Sequence, residues 1–503
     1  MRAGCLMVQG TTSDAGKSVL VAAIGRILHR HGISCAPFKP QNMALNSAVT
    51  AEGGEIGRAQ AVQAQACGVP PSTDMNPILL KPNSDTGSQV ILLGQSIGNM
   101  HALQYHQHKP QLLQTVLQAF ERLQQRHGVV LIEGAGSPAE INLRQHDLAN
   151  MGFAEAADCP VILIADIDRG GVFAHLYGTL ALLSPSEQAR VKGFVINRFR
   201  GDPKLLQSGL EWLEAKTGKP VLGVIPYLHD LHIEAEDALN RSQRTSQEAK
   251  LRVAVLMYPR ASNHTDFDVL RLEPRIDCQF VRQVQDFKGA DLIILPGSKA
   301  VRPDLHWLQA QGWPALIQRH LRLGGKLLGI CGGYQILGEQ LQDPLGLESP
   351  PGSDPGLGYL NLITELRPQK RLLQVQGHCL GSEQRVKGYE IHQGHSQGEA
   401  LNRPLFTLEY GPEGTRNSDD SVRGSYLHGL LDQPGMLNWL SQWVLGQNLE
   451  DQNLEDQNPN ATPFDYAQWQ EREIERLADA VEASIGLEQW RQLLQLPDGC
   501  TQP

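Results

Sequence analysis

The stretch Gln9-Gly10-Thr11-Thr12-Ser13-Asp14-Ala15-Gly16-Lys17-Ser18 lies between an apolar run, Leu6–Val8, and a segment with apolar residues at helical spacing. Leu20, Ala23, Ile24, Ile27 and Leu28 fall at i, i+3, i+4, i+7 and i+8, one face of a helix. A strand, a glycine-rich loop and a helix in that order form a cradle in which backbone N–H groups and the helix N-terminus hold phosphate oxygens. Lys17 is expected to neutralise charge on the β and γ phosphates, and the Ser18 hydroxyl to ligate Mg²⁺. Gly10, Thr11, Thr12, Asp14, Ala15, Gly16, Lys17 and Ser18 are the candidate ATP contacts. Five residues rather than the usual four separate Gly10 from Gly16. The alternative is a chance glycine-rich turn; a match at four fixed positions is expected only about 0.02 times in a chain this long.

Further apolar runs follow at Val129–Ile132, Val161–Ala165, Val191–Ile196 and Val221–Ile225, then at Val253–Met257, Leu292–Leu295 and Leu327–Ile330. They are short, rich in Val, Ile and Leu, and not strictly alternating, as in strands buried on both faces of a parallel sheet. The predicted fold class is α/β, with two doubly wound, mainly parallel-sheet domains and a C-terminal helical tail. The first domain is expected over residues 1–235. A polar, charged linker follows over 236–250, a second domain over 251–447, and a final region over 448–503. That region opens with two copies of Asn-Leu-Glu-Asp-Gln, a low-complexity insertion, and continues into a predicted helical segment over Tyr466–Leu496.

The 503 residues are 41% apolar and 19% charged, with a net charge of -10, which fits a globular chain and argues against a polyanion-binding surface. No nucleic-acid partner is expected. The eight cysteines are scattered and form no CxxC pair, so reduced thiols in the cytoplasm are the simpler reading. The N-terminus lacks the features of a signal peptide, and no apolar run reaches the roughly 18 residues of a membrane span.

Two further groups in the first half are candidates for chemistry. Glu133 closes the run Val129–Glu133 and opens Glu133-Gly134-Ala135-Gly136, which puts a carboxylate at the ligand crevice of a parallel sheet. It could bind Mg²⁺ or merely cap the next helix. Asp166 and Asp168 also follow a strand, at a spacing that suits helix capping as well as a metal. In Lys39-Pro40-Gln41-Asn42-Met43, Lys39 could meet an anionic acceptor or a transferred phosphoryl group, or be an exposed loop lysine. Lys39 and Asn42 are the candidate substrate contacts.

In the second half, Gly329-Ile330-Cys331-Gly332-Gly333 ends an apolar strand and has the form of a nucleophile elbow. The flanking glycines allow a sharp turn that exposes the sulfur near a helix N-terminus. An ordinary thiol, with a pKa of about 8.5, is only about 3% ionised at pH 7, so a base is expected. His428, in Ser425-Tyr426-Leu427-His428-Gly429, is the candidate. Pro296-Gly297-Ser298 follows another strand. The amides of Gly297 and Gly332 could form an oxyanion site. A buried structural thiol is the alternative for Cys331 taken alone.

These motifs carry resemblances. The lengthened phosphate loop and Glu-Gly-Ala-Gly resemble those of dethiobiotin synthetase-like enzymes, which implies that Glu133 binds Mg²⁺ and Asn197 contacts adenine. The elbow resembles that of class I glutamine amidotransferases. In those enzymes Cys attacks the glutamine amide, His shuttles protons and ammonia is released; Gly297, Gly332 and Gln335 would then form the oxyanion and glutamine-binding group. That family usually has a Glu two residues after the His; here the position is Leu430, as in the cobyrinic and cobyric acid amidotransferases, which keep only Cys and His. Phe38–Met43, Glu55–Gln60, Asn76–Pro82, Asp166–Gly171 and Gly388–His392, with the loop, resemble the cobyric acid synthase family from residue 5 to about 445. The resemblance implies ATP- and glutamine-dependent amidation of the b, d, e and g carboxylates of adenosylcobyrinic acid a,c-diamide. ATP, Mg²⁺ and L-glutamine would be the cofactors and nitrogen donor, and a corrinoid the substrate. The alternatives are the enzyme that makes the a,c-diamide, another P-loop amide ligase with a fused glutaminase, a partition-type ATPase with a thiol hydrolase, and a regulatory nucleotide switch.

Overall fold

The computed structural model describes residues 4–83, 87–233, 249–449 and 464–496. Most of the expected linker, and the repeat from residue 450 onward, lie outside the described residues.

The first half is built on six parallel strands. They are β1 (Gly4–Gly10), β2 (Cys35–Phe38), β3 (Val129–Glu133), β4 (Val161–Asp166), β5 (Val191–Phe199) and β6 (Val221–Pro226), in the order β6-β5-β4-β1-β3-β2. The winding reverses at β1, which pairs with β4 on one side and β3 on the other. The loop after β1 therefore opens into the crevice where doubly wound sheets bind ligands. Helix α1 (Lys17–Arg30) follows that loop, and the predicted face of Leu20, Ala23, Ile24, Ile27 and Leu28 is buried. Between β2 and β3 the chain adds a small sheet of Gln41–Met43, Ile78–Pro82, Gly87–Leu92 and Gln95–His101, together with helix α2 (Arg58–Ala66).

The second half centres on β7 (Leu251–Leu256), β8 (Ile276–Val281), β9 (Leu292–Leu295), β10 (Lys326–Ile330), β11 (Thr415–Arg416) and β12 (Val422–Ser425). Their order is β8-β7-β9-β10-β12-β11, parallel except for the last pair. Helix α3 (Gly332–Ile336) follows β10. Beside this sheet lies a mixed one dominated by an antiparallel hairpin, Ile363–Cys379 with Arg385–Gln397, which the sequence does not announce. Much of its first strand is exposed and polar, and its register shifts between Leu366 and Arg371, around Pro368. Proline cannot donate to a ladder and is tolerated at such irregularities.

The C-terminal helical segment is two helices, α4 (Tyr466–Ser484) and α5 (Leu487–Leu493). They do not stand apart. Leu477, Ala478, Val481, Ile485 and Trp490 share a core cluster with Leu20, Ile24 and Ile27 of α1. Arg26 pairs with Glu471 at 2.8 Å and Glu475 at 2.9 Å, and Arg30 with Asp479 at 2.8 Å. The last described helices thus complete the first half.

Candidate active sites

The phosphate loop needs its glycines. Gly16 has φ 103°, and a Cβ there would lie 2.1 Å from Asn197 Nδ2. Asn197 Nδ2 donates to Ala15 O at 3.0 Å, so this strand-end amide holds the loop from below. Lys17 Nζ donates to the carbonyls of Thr12 (3.0 Å), Ser13 (2.9 Å) and Gly136 (3.1 Å).

Glu133, wholly buried at the end of β3, gathers the other polar groups. Its Oε1 accepts from Ser18 Oγ at 2.7 Å and from Lys39 Nζ at 2.9 Å. Its Oε2 accepts from Gln63 Nε2 at 2.6 Å and Gln60 Nε2 at 3.4 Å, and Asn42 Nδ2 donates to Gln60 Oε1 at 3.0 Å. Burial pushes the Glu133 carboxyl up, but the Lys39 charge and the bonds from Lys39, Ser18 and Gln63 outweigh it and hold the group below its ordinary value. Lys39 is 1% exposed, so it is not a loop lysine in solvent. Gln60 and Gln63 come from α2, whose weak amphipathic pattern gave no sign of the site.

Ser18 and Glu133 are hard oxygen donors, as Mg²⁺ requires. Among the described residues no group of three His, Cys, Asp or Glu could hold a metal, so a cation here would draw its other ligands from phosphate and water. Buried oxygens without a hydrogen-bond donor lie close by, Thr11 Oγ1, Asn42 Oδ1 and Gln63 Oε1. This donor set fits the ion. Asp166 is engaged otherwise: it accepts from Asp168 N at 2.8 Å and pairs with Arg198 at 2.8 Å, while Asp168 pairs with Arg200 at 2.7 Å.

A cavity of about 730 Å³ opens over the loop, lined by Lys17, Ser18, Lys39, Asn42, Arg144 and Arg169 among others. A second, of about 450 Å³, lies beside Asn197 and Tyr227 and is closed by His264, Thr265 and Arg271 of the second half and by Tyr466 and Trp469 of the C-terminal helix.

The thiol site has the geometry of a strained elbow. Cys331 sits at φ 51°, ψ −106°, between β10 and α3. A Cβ on Gly333 would lie 2.0 Å from Leu295 O, and one on Gly332 would lie 2.7 Å from Ser298 N. Only glycine allows the turn to press so closely on the neighbouring strand end. Cys331, Gly332, Ser298, Gln335 and His428 line one small cavity of about 30 Å³. Gln335 Oε1 is buried there without a donor. Gly297 lies under the imidazole, where a Cβ would come 2.9 Å from His428 Cε1. Ser298, the next residue, lines the cavity beside Gly332.

His428 is fully buried, with the Tyr389 ring stacked at 5.3 Å. Leu430 turns into the core, 2% exposed. The imidazole Nδ1 donates instead to Asp266 Oδ2 at 2.6 Å, and Asp266 Oδ1 accepts from Gly429 N at 3.0 Å. Burial alone would drive the imidazole pKa down, but the Asp266 carboxylate and then the Cys331 sulfur raise it to about 10. Asp266 is 162 residues from His428 in sequence, and nothing local marks it. Lys81 of the first half also lines the thiol cavity, bonded to Glu55 at 2.7 Å.

Comparison with known proteins gives the same two-part division. Residues 6–239 match the CobQ/CobB/MinD/ParA nucleotide-binding domain, and residues 252–436 the CobB/CobQ-like glutamine amidotransferase domain. Curated cobyric acid synthases from Vibrio vulnificus strains CMCP6 and YJ016 are each 58% identical over 486 residues, 96% of this chain and 98% of theirs. Among the described residues no helix is long and apolar enough to cross a membrane. The chain belongs to the cobyric acid synthase family and is a glutamine amidotransferase ligase, carrying out glutamine-dependent amidation in cobalamin biosynthesis.

Proposed function

We propose that this chain amidates the b, d, e and g carboxylates of adenosylcobyrinic acid a,c-diamide, in the cytoplasm, using ATP with Mg²⁺ and ammonia released from glutamine. A carboxylate resists attack by ammonia because addition builds charge on a group already anionic. Transfer of the γ-phosphoryl group to its oxygen creates a leaving group, which ammonia then displaces.

The observation that carries this reading is the pairing in one chain of a phosphate loop closed on Glu133 and an elbow cysteine sharing a cavity with a buried imidazole. Lys17, now on three carbonyls, would exchange them for β- and γ-phosphate oxygens. Ser18 and Glu133 would hold Mg²⁺, which when bound neutralises phosphate charge. Lys39 would face the acceptor carboxylate with Asn42, at the floor of the large cavity. The cations around that cavity suit a polycarboxylate beside a polyphosphate. Asn197 would border the adenine.

In the second half, Cys331 would attack the glutamine amide while His428 moves the proton from sulfur to the departing ammonia. The Gly332 amide would receive the developing oxyanion, and the unpartnered Gln335 Oε1 would accept from the glutamine. The test is mass spectrometry of the a,c-diamide incubated with ATP, Mg²⁺ and glutamine. Four successive mass decrements, each that of a carboxyl becoming an amide, are expected. No change with the a,c-diamide but two decrements with cobyrinic acid itself would instead mark the a,c-diamide-forming enzyme.

A further inference from the structure

We propose that Asp266 is the positioning residue for His428, supplied by a turn that the first half holds in place. The proposal rests on the reading of Cys331 and His428 as the glutamine-cleaving pair. An imidazole that shuttles a proton at a thiol works only if its other ring nitrogen is held by an acceptor, which orients the ring and stabilises its protonated form. In this chain the position two residues after the histidine is a buried leucine, so the sequence leaves the imidazole without its usual partner. The geometry supplies one. Asp266 meets Nδ1 at 2.6 Å, and its second oxygen is fixed by the Gly429 amide at 3.0 Å. A carboxylate held at both oxygens cannot swing away without breaking the bond to the residue beside His428.

The turn that carries Asp266 is a single helical turn, His264–Phe267, with Asn263 before it in the left-handed region at φ 53°. It is buried throughout, and its anchors come from the first half. Ser47 N donates to Asn263 Oδ1 at 2.9 Å, His264 N donates to Asn46 Oδ1 at 3.2 Å, and Asn46 Nδ2 donates to His264 Nε2 at 2.9 Å. Tyr389 stacks on a face of the imidazole, and its hydroxyl donates to Ser47 O at 3.0 Å. Residues 46 and 47 therefore brace the turn that orients the ring and the tyrosine that backs it. The other titratable groups around the imidazole are Cys331 and, across the cavity, Lys81, Lys299, Lys370, Glu348 and His392. Asp266 is the bonded partner of Nδ1 among the described residues.

The same turn, through His264 and Thr265, also walls the cavity beside Asn197. Glutamine cleavage is thus built to depend on the docking of the two halves rather than on the second half alone.

The experiment uses the full chain with Asp266→Asn, Asp266→Glu, Asn46→Ala and His428→Ala, each assayed for glutamate release from glutamine and for amidation driven by ammonium. Asp266→Asn should lower glutamate release by about 10²- to 10⁴-fold and move the alkaline limb of its rate–pH profile to lower pH. Ammonium-driven amidation should persist. Asp266→Glu should recover at least about tenfold of the loss, and Asn46→Ala should lower glutamate release by about tenfold. Glutamate release by Asp266→Asn within threefold of the unaltered chain, with an unmoved profile, overturns the role of Asp266. Equal loss of both activities overturns it too, because the defect would then be general. Full glutamate release by Asn46→Ala overturns the bracing by the first half. If His428→Ala still releases glutamate, the reading of the site itself has failed, an outcome distinct from an inactive His428→Ala beside an active Asp266→Asn.

Discussion

Glu133 in the first half and Glu413 and Asp304 in the second are buried carboxyl groups treated in opposite ways. In the first half, Glu133 lies under Lys39 and is held below its ordinary pKa although burial opposes this. In the second, Glu413 accepts from Ser425 Oγ at 2.8 Å and from Tyr426 N at 2.7 Å, and burial pushes it up to about 7. Asp304, bonded by Ser298 Oγ at 2.6 Å and Arg260 N at 3.1 Å, is likewise pushed up to about 7. Burying an unpaired charge is costly, so a carboxyl without a close cation takes up a proton instead. The first half concentrates full charges where a polyphosphate would be handled. In the second half Glu413 and Asp304 are kept close to neutral, whereas Glu390, paired with Arg371, is held below its ordinary value.

That contrast can be broken at several points. The largest effect is expected of Cys331→Ser, which should cut glutamine-driven amidation by about 10⁴-fold and leave ammonium-driven amidation standing. Retained glutamine-driven turnover would remove the nucleophile from Cys331. Lys17→Ala should lower both by about 10³-fold, since phosphoryl transfer precedes either source of nitrogen. An unaffected ammonium-driven rate would show that the loop lysine does not serve the phosphates. Trp490→Ala, in α5, should cost about 3 kcal/mol and lower the denaturation midpoint of the first half, with no comparable loss of glutamate release. If the second half unfolds earlier instead, the C-terminal helices do not belong where they pack.

The smallest effect concerns pH. Between the ordinary carboxylate range and about 7, native Glu413 and Asp304 keep protons that the unfolded chain has released. Their contribution to the stability of the second half should therefore fall as pH rises through that window and be flat below it. Glu133 has the other sign: its contribution is present above the ordinary range and is lost only as pH falls toward its depressed value. Thermal unfolding followed across pH 4 to 8 should show the decline, and Glu413→Gln should flatten it. A rising midpoint would contradict the assigned burial.

What could be read in the sequence was local. The phosphate loop and the thiol elbow are turns whose close approaches admit only glycine, as at Gly16, Gly332 and Gly333, so their geometry is written in consecutive residues. The strand ends that carry Glu133 and Asn197 were legible because short apolar runs imply a parallel sheet with its ligands at one edge. The partners of these residues were not. Gln63, Lys81 and Asp266 reach their sites across 70, 26 and 162 residues from the groups they bond, and polar side chains without a repeat pattern leave no trace of such pairings. The hairpin over 363–397, whose first strand is largely exposed, alternates too weakly to be seen, and the destination of the C-terminal helices is fixed by a face of α1 more than four hundred residues earlier.

The return of those helices has a consequence for how the protein is made. A Cβ on Gly4, at the start of β1, would lie 2.7 Å from Leu494 O, so the opening strand and the final described helix are neighbours. The nucleotide half emerges from the ribosome with that flank of α1 bare, and it stays bare until the whole glutaminase half has been synthesised. The glutaminase half is topologically an insertion between α1 and the helices that cover it, and the nucleotide half closes only when those helices arrive. A chain cut before those helices would thus carry an open apolar seam along α1 in place of a closed core.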